Sequence, residues 1–208
     1  MRLLAIETAS EACSVALFEG ERLIAHDHRV LGRGHAEALV PMIAALPDKG
    51  KAARILVSLG PGSFTGVRIG LATARALGYA WGAEVLGYPT LALVGAQAQA
   101  EHPDAAITVC MNGGHGEWFV QDFTNGQPDK DLRSLTPAQA VAVGAQGVIA
   151  GNRAKEFAAL LGEDRKAIAL LPEASRVSLL PEGLLTVRLT PIYGRGADAI
   201  PMAERTRA

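Results

Sequence analysis

The sequence predicts an α/β fold made of two related units, the second smaller than the first. Three observations predict it. Residues 2–28 alternate short apolar runs with polar turns, as a strand meander does. Residues 54–100 then alternate apolar runs with long helical patterns, as parallel strands with crossover helices do. Beyond residue 106 the same order returns in a shorter form.

In chain order, "RLLAIE" (2–7) and "ACSVALF" (12–18) read as two strands, and "EG" (19–20) turns the chain into a third, "ERLIAHDH" (21–28). A helical stretch follows at about 34–46, with His35, Leu39, Met42, Ile43 and Leu46 at helical spacing. Pro41 inside it is expected to kink it, or to mark the first turn of a shorter helix. Strand 54–59, helix 64–81, strand 84–88 and helix 89–100 complete a βββαβα unit. In the second half, 106–112 and 117–123 form a hairpin, and Asn125-Gly126 is a strong turn signal. A helix after Pro137, a strand at 147–150, a helix at 153–162 and a strand at 166–170 follow, then a proline-bearing tail. The boundary is expected near 98–106, giving units 1–100 and 101–208, with the tail packing back on the first.

The chain has 208 residues, 49% of them hydrophobic and 20% charged, enough to bury a substantial core without signs of disorder. A net charge of −1 supplies no positive field to draw the whole chain onto nucleic acid. Cys13 and Cys110 form no CxxC pair, which argues against a disulfide framework or structural zinc. The start, "MRLLAIETAS", lacks the apolar length of a signal peptide, and no stretch approaches the ~18 apolar residues of a membrane span. A cytoplasmic setting is expected.

The stretch "GPGSFTGVRIG" (60–70) joins a strand to a helix, as phosphate-binding loops do, but misses their templates. Walker A requires GxxxxGK[ST]; here Val67 stands five residues after Gly62, and the loop has no Lys. In GxGxxG terms Gly60 and Gly62 fit, while Gly66 comes one position late. Loop amides could still attract an anion, with Ser63 as helix N-cap, so Glu7, Thr8, Ser63 and Thr65 are weak anion or nucleotide candidates.

Gly66, Gly70, Ala74 and Gly78 recur every four residues and form one stripe of small side chains on the helix. A helix-interior glycine costs up to ~1 kcal/mol relative to Ala, so close approach of another backbone must offset it. That backbone can belong to this chain or to a partner. The two accounts differ at Gly70→Leu, which destabilises the monomer only if the stripe faces inward.

Other candidates are weaker. Glu7 ends the first strand, where phosphoryl-transfer sites often begin, but strand 54–59 brings no second carboxylate to it. A lone strand-end Glu more often caps a turn. His26 and His28 share a strand face without a third ligand, His35 reads as a cap or surface residue, and His115 falls in a hairpin turn. There is no HExxH, HxxxH or GxSxG motif.

The segments "LLAIETASEACSVALFEGERLIA", "GHAEALVPMI", "LVSLGPGSFTGVRIGLATARALGYAWGAEVLGYPTLALVG" and "PIYGRGADA" together resemble the TsaB family, formerly called YeaZ. The first three cover nearly all of residues 2–95. The resemblance implies the actin/Hsp70/sugar-kinase (ASKHA) fold, with two ribonuclease-H-like lobes and here a reduced second one. It also implies kinship with TsaD, the metal-bearing enzyme that attaches a threonylcarbamoyl group to the adenosine beside the tRNA anticodon. Where that enzyme carries a His-x-x-x-His metal motif, this chain has Thr90 and Val94, neither of which can replace an imidazole.

By resemblance, then, no catalytic, metal or tightly bound cofactor site is expected, and ATP or ADP would be touched only within a complex. The expected role is a non-catalytic subunit that supports a TsaD-type enzyme, alongside a TsaE-type ATPase, with tRNA met only through the complex and no membrane contact. Alone, the chain is expected to form a homodimer. The resemblance places the partner surface on the two helices, at His35, Leu39, Met42, Ile43, Gly66, Ile69, Gly70, Thr73, Ala74 and Leu77. The alternative is an independent ATP-dependent small-molecule kinase of the same superfamily, or a peptidase. One departure stands out: family members commonly carry Asp-Ala-Arg before the Gly-Glu of the second-lobe hairpin, where this chain has Asn112-Gly113-Gly114-His115.

Overall fold

The computed structural model describes residues 1–162 and 165–194, so part of the "PIYGRGADA" segment, from residue 195 on, lies outside the described residues. The first sheet is built from β1 (Arg2–Glu7), β2 (Ala12–Glu19), β3 (Arg22–Val30), β4 (Arg54–Ser58) and β5 (Glu84–Tyr88), in the order β3-β2-β1-β4-β5. The meander strands pair antiparallel, while β4 and β5 run parallel to β1. This is the ribonuclease-H-like order that the resemblance implied. Alternation along each strand sorts the faces. Leu4 and Ile6, with Ile55 and Val57, turn toward α1 (His35–Ala45) and α2 (Phe64–Trp81); Ala5, Leu56 and Leu86 turn the other way, toward α3 (Thr90–Glu101).

Every residue of α3 from Thr90 to Ala98 is buried, as expected of a helix with no polar face. It lies between the two sheets, and one continuous apolar cluster joins Ala5, Leu56 and Tyr88 to Ile107, Val109 and Phe123. The second sheet contains β6 (Ile107–Gly114), β7 (Glu117–Thr124), β8 (Gln127–Pro128), β9 (Arg133–Leu135), β10 (Val148–Ala150) and β11 (Ala167–Ile168). Its order is β11-β10-β6-β7-β8, with β9 also beside β7, so two short pieces stand where the first unit has one long third strand. Asn125 and Gly126, at φ 51° and 73°, form the two-residue turn between β7 and β8. Two helices cover this sheet, α4 (Pro137–Val143) and α5 (Ala154–Leu161), the former opened by a Thr136–Gln139 capping box.

The chain then returns to the first lobe. The Ala174 N–H donates to Ser14 Oγ (3.0 Å), Thr186 pairs with Gly87, and the Ile192 N–H donates to the Leu59 carbonyl (2.8 Å). On α2, Arg75 donates to the Leu189 carbonyl (2.7 Å) and the Phe64 ring meets Tyr193 at 5.9 Å.

Two sequence expectations need correction here. First, α1 runs through Pro41 rather than starting there; Pro41 is exposed, so water can satisfy the carbonyl that its missing N–H leaves free. Second, the small-residue stripe faces this chain's own sheet. A Cβ on Gly66 would sit 2.1 Å from the Thr8 carbonyl oxygen, and one on Gly70 would sit 2.4 Å from Thr8 Oγ1. Ala74 is likewise fully buried, as are Leu39, Met42 and Ile43 of α1 in the same cluster. His35 is buried beneath the β1–β2 turn. These seven residues (His35, Leu39, Met42, Ile43, Gly66, Gly70, Ala74) pack within the protomer and are not open to a partner; Ile69, Thr73 and Leu77 remain half-buried at the surface.

Gly66→Ala therefore tests the inward account. An exposed helical Gly→Ala change stabilises by up to ~1 kcal/mol, whereas here the added methyl meets a backbone oxygen and overpacking should cost ~1–3 kcal/mol. We expect a lower melting temperature for this variant, and an unchanged or higher one would place the stripe elsewhere.

Candidate functional site

The parallel strands β1, β4 and β5 end together, and a cleft of about 320 Å³ opens beyond them between the lobes. Such a position, outside the carboxyl ends of parallel strands, is where open α/β sheets bind ligands. The first lobe contributes Ala9, Ser10, Glu11, Gly62, Ser63, Phe64 and Thr90; the second contributes Met111, Asn112, Gly113, Gly114, His115 and Asn152. His115 sits at the tip of the β6–β7 hairpin with φ 52°, between Gly114 and Gly116. Among the described lining residues Glu11 is the one carboxylate and there is no Lys or Arg.

The glycine-rich turn forms part of this wall, and two of the amides at the start of α2 bond within the chain. The Ser63 N–H donates to the Ala9 carbonyl (2.7 Å), and the Gly66 N–H to Ser63 Oγ (3.2 Å), the N-cap bond that the sequence predicts. Thr8 Oγ1 in turn donates to the Gly66 carbonyl (2.8 Å). Thr65 is exposed on the first turn of α2. Thr8 and Ser63 thus join the first-lobe loop to α2.

On the opposite side of the same turn lies His35. Its Nε2 is 3.0 Å from the Ser10 carbonyl oxygen and 3.1 Å from that of Ala12. Both neighbours are acceptors, so Nε2 carries the proton and donates. The expectation of a cap or surface residue is corrected: His35 is a buried clamp on the β1–β2 turn.

Beneath the cleft lies a buried polar cluster on one face of three neighbouring strand ends. Glu7 follows Ala5 on β1, Ser58 follows Leu56 on β4, and Tyr88 follows Leu86 on β5, each two residues on and so on the α3 side. Glu7 Oε1 accepts from the Ala9 N–H (2.7 Å), capping the turn, and Oε2 is 3.2 Å from the Tyr88 hydroxyl. Ser58 Oγ and Thr90 Oγ1 are 2.6 Å apart, so Thr90 ties its strand-end neighbour to the start of α3. Burial pushes the Glu7 carboxyl up to about 7, against bonds from Ala9, Ser58 and Tyr88 that favour the charged form. Proton counting agrees. The single Tyr88 hydroxyl proton faces two acceptors, Glu7 Oε2 and the Ile6 carbonyl (3.1 Å). A proton on Glu7 lets the carboxyl donate to Tyr88 and Tyr88 to Ile6.

Other sequence candidates do not gather. His26 lies 3.5 Å from the Glu173 carboxylate on the outer strand β3, far along the chain from His115. Asp122 is buried in the second lobe, where Thr108 (2.7 Å), Lys130 (3.2 Å) and Arg133 (3.3 Å) donate to it. Among the described residues no three His, Cys, Asp or Glu side chains are grouped as a metal site would need. The sequence reading missed Glu11, Asn152 and Tyr88, because they become neighbours only once the lobes and strand ends are assembled.

Comparison with known proteins places this geometry. Residues 29–153 match the family model of TsaD, tRNA N6-adenosine threonylcarbamoyltransferase. The chain is 35% identical over 130 residues to the tRNA threonylcarbamoyladenosine biosynthesis protein TsaB of Escherichia coli, an alignment covering 59% of this chain and 55% of that one. It thus spans about half the length of that relative. An uncharacterized protein of Mycobacterium tuberculosis is 32% identical over 97% of this chain and 95% of its own length. Among solved structures, YeaZ from Pseudomonas aeruginosa superposes with a TM-score of 0.74 at 27% identity, covering 92% of this chain and 99% of that one.

The buried carboxyl yields a pH prediction. Its folded value, about 7, lies above the ordinary 4.5, so between these the folded chain holds a proton that the unfolded chain has released. Its contribution to stability is complete below the lower value and is lost as pH rises through the upper, by on the order of 3 kcal/mol. Glu7→Gln keeps an acceptor for Ala9 and supplies a permanent donor to Tyr88. Urea unfolding should show the variant's stability flatter than the parent's across this range and higher above it. Parallel profiles for the two proteins would mean that Glu7 is ionised throughout.

Proposed function

Because the chain belongs to the TsaB (YeaZ) family of tRNA threonylcarbamoyladenosine biosynthesis proteins, we propose that it is a non-catalytic subunit that binds a TsaD-type enzyme and supports threonylcarbamoyl transfer to tRNA. In this reading it works in the cytoplasm, meets tRNA and a TsaE-type ATPase through the complex, and touches nucleotide only there. It forms a homodimer when alone.

The observation that carries the reading is the outer surface of α1 and α2. With the glycine stripe turned inward, the opposite side of α2 presents Ala72, Ala76, Tyr79 and Ala80, flanked by half-buried Ile69, Thr73 and Leu77. Tyr79 is 94% exposed, and on the neighbouring helix Val40 is 58% exposed beside Pro41 and Ala44. Flat, small-residue helical faces of this kind allow another helix to approach closely. Arg68 and Arg75, the charges on α2, are turned toward Tyr193 and Leu189 of the returning tail. The partner surface expected at the inward residues is thus proposed to lie one helix face away. The cleft supports an accessory role as well: its described lining offers polyphosphate no Lys or Arg.

The direct experiment is reconstitution of tRNA modification with a TsaD-type enzyme, with and without this chain. Loss of modification when it is omitted, and no turnover by the chain alone, are expected; ATP-dependent phosphorylation or peptide cleavage by the isolated chain would instead support an enzyme.

Ala76→Arg locates the surface. At an exposed helical site it should alter monomer stability by no more than ~0.5 kcal/mol. We expect self-association and capture of the TsaD-type enzyme to weaken at least roughly tenfold, as a buried unpaired charge would cause. Unchanged association measured by analytical ultracentrifugation would remove this face from the interface.

A further inference from the structure

Glu11 stands in the β1–β2 turn, where its carbonyl accepts from the N–H groups of Leu31 and Gly32, both at 2.9 Å. Its side chain reaches over the cleft to the other lobe. Asn152 Nδ2 lies 3.0 Å from one carboxylate oxygen and 2.9 Å from the other, joining residues 141 positions apart. Asn152 is itself positioned, since its Oδ1 accepts from the Asn112 N–H (2.8 Å) at the end of β6. The Asn112 side chain in turn accepts from the Gly114 N–H (3.2 Å) in the hairpin. A line of polar groups therefore runs from the β1–β2 turn of one lobe to the β6–β7 turn of the other, and Glu11, Asn112 and Asn152 all line the cleft.

Behind the cleft the lobes share α3 and a continuous apolar cluster, which has no polar alternative in water. At the cleft the join consists of hydrogen bonds between partly exposed groups, which water can replace at small net cost. Separation therefore begins at this side. We propose that Glu11 and Asn152 form a latch that holds the lobes closed over the cleft, so that a ligand or partner segment enters only when the pair parts. Asn112 serves the device through its backbone N–H, which orients Asn152.

The latch can be read by distance without any ligand. Cys13 and Cys110 are buried, so spin labels can be directed to Arg33→Cys and Lys155→Cys, exposed positions close in sequence to the cleft residues Gly32 and Asn152. Pulsed electron resonance on this pair should give one narrow, short distance. Asn152→Asp keeps an acceptor for the Asn112 N–H but sets a second carboxylate against Glu11, and should shift the distribution to longer distances. Glu11→Ala, which removes the acceptor without adding charge, should do the same. The double variant Glu11→Gln with Asn152→Asp reverses donor and acceptor and should return the short distance. Each variant should keep the parent's circular dichroism, since the shared apolar cluster is untouched. An unshifted distance in Asn152→Asp and Glu11→Ala, or a double variant no closer than Asn152→Asp alone, would overturn the latch.

Discussion

The fold depends on how tightly one short turn is held. Residues Thr8–Ala12 leave β1 and enter β2 under contact from three sides. From α2, Ser63 donates to the Ala9 carbonyl, and the missing side chains at Gly66 and Gly70 make room for Thr8. From α1, the buried imidazole of His35 donates to Ser10 and Ala12. From within the sheet, Glu7 accepts the Ala9 N–H. These contacts fix the end of β1 against both helices, and with it the first-lobe wall of the cleft. The glycine cost in α2 is offset here, by backbone approach inside the protomer.

That constraint also shapes the glycine-rich loop. A helix N-terminus attracts anions when its amides are free. In this chain the Ala9 carbonyl takes the Ser63 N–H, Ser63 Oγ takes that of Gly66, and Thr8 donates to the Gly66 carbonyl. The glycines, whose spacing misses the phosphate templates, let the backbone of Ala9 and Thr8 pack against Gly62 and Gly66.

Much of the fold was legible because it is written in local periodicity. The strands of the first unit, the start of α2 at the Ser63 cap, the Asn125-Gly126 turn and the helix at Pro137 all follow from patterns within a few residues. The direction of the small-residue stripe was not legible. A repeat of four identifies the residues on one face of a helix but not what faces them, and α2 is apolar on more than one side. His35 was misread for a related reason, since its acceptors are carbonyls about two dozen residues upstream that no side-chain pattern marks. The site was less legible still. Glu7, Ser58 and Tyr88 meet only through strand register, and Glu11 meets Asn152 only when two lobes are assembled.

The arrangement separates the two ends of the molecule by chemistry. At the strand ends and the cleft, polar groups are paired with one another: Glu7 with Ala9 and Tyr88, Ser58 with Thr90, Glu11 with Asn152. On the far side of the first sheet, α1 and α2 bury most of their large side chains inward and present alanines, a valine, a tyrosine, Glu37, Arg68 and Arg75 outward. A polar centre satisfied by its own neighbours and an outer helical face with exposed apolar residues lie on different sides of the first lobe. The first lies beneath the cleft at the strand ends, and the second lies on the α1–α2 side of the first sheet.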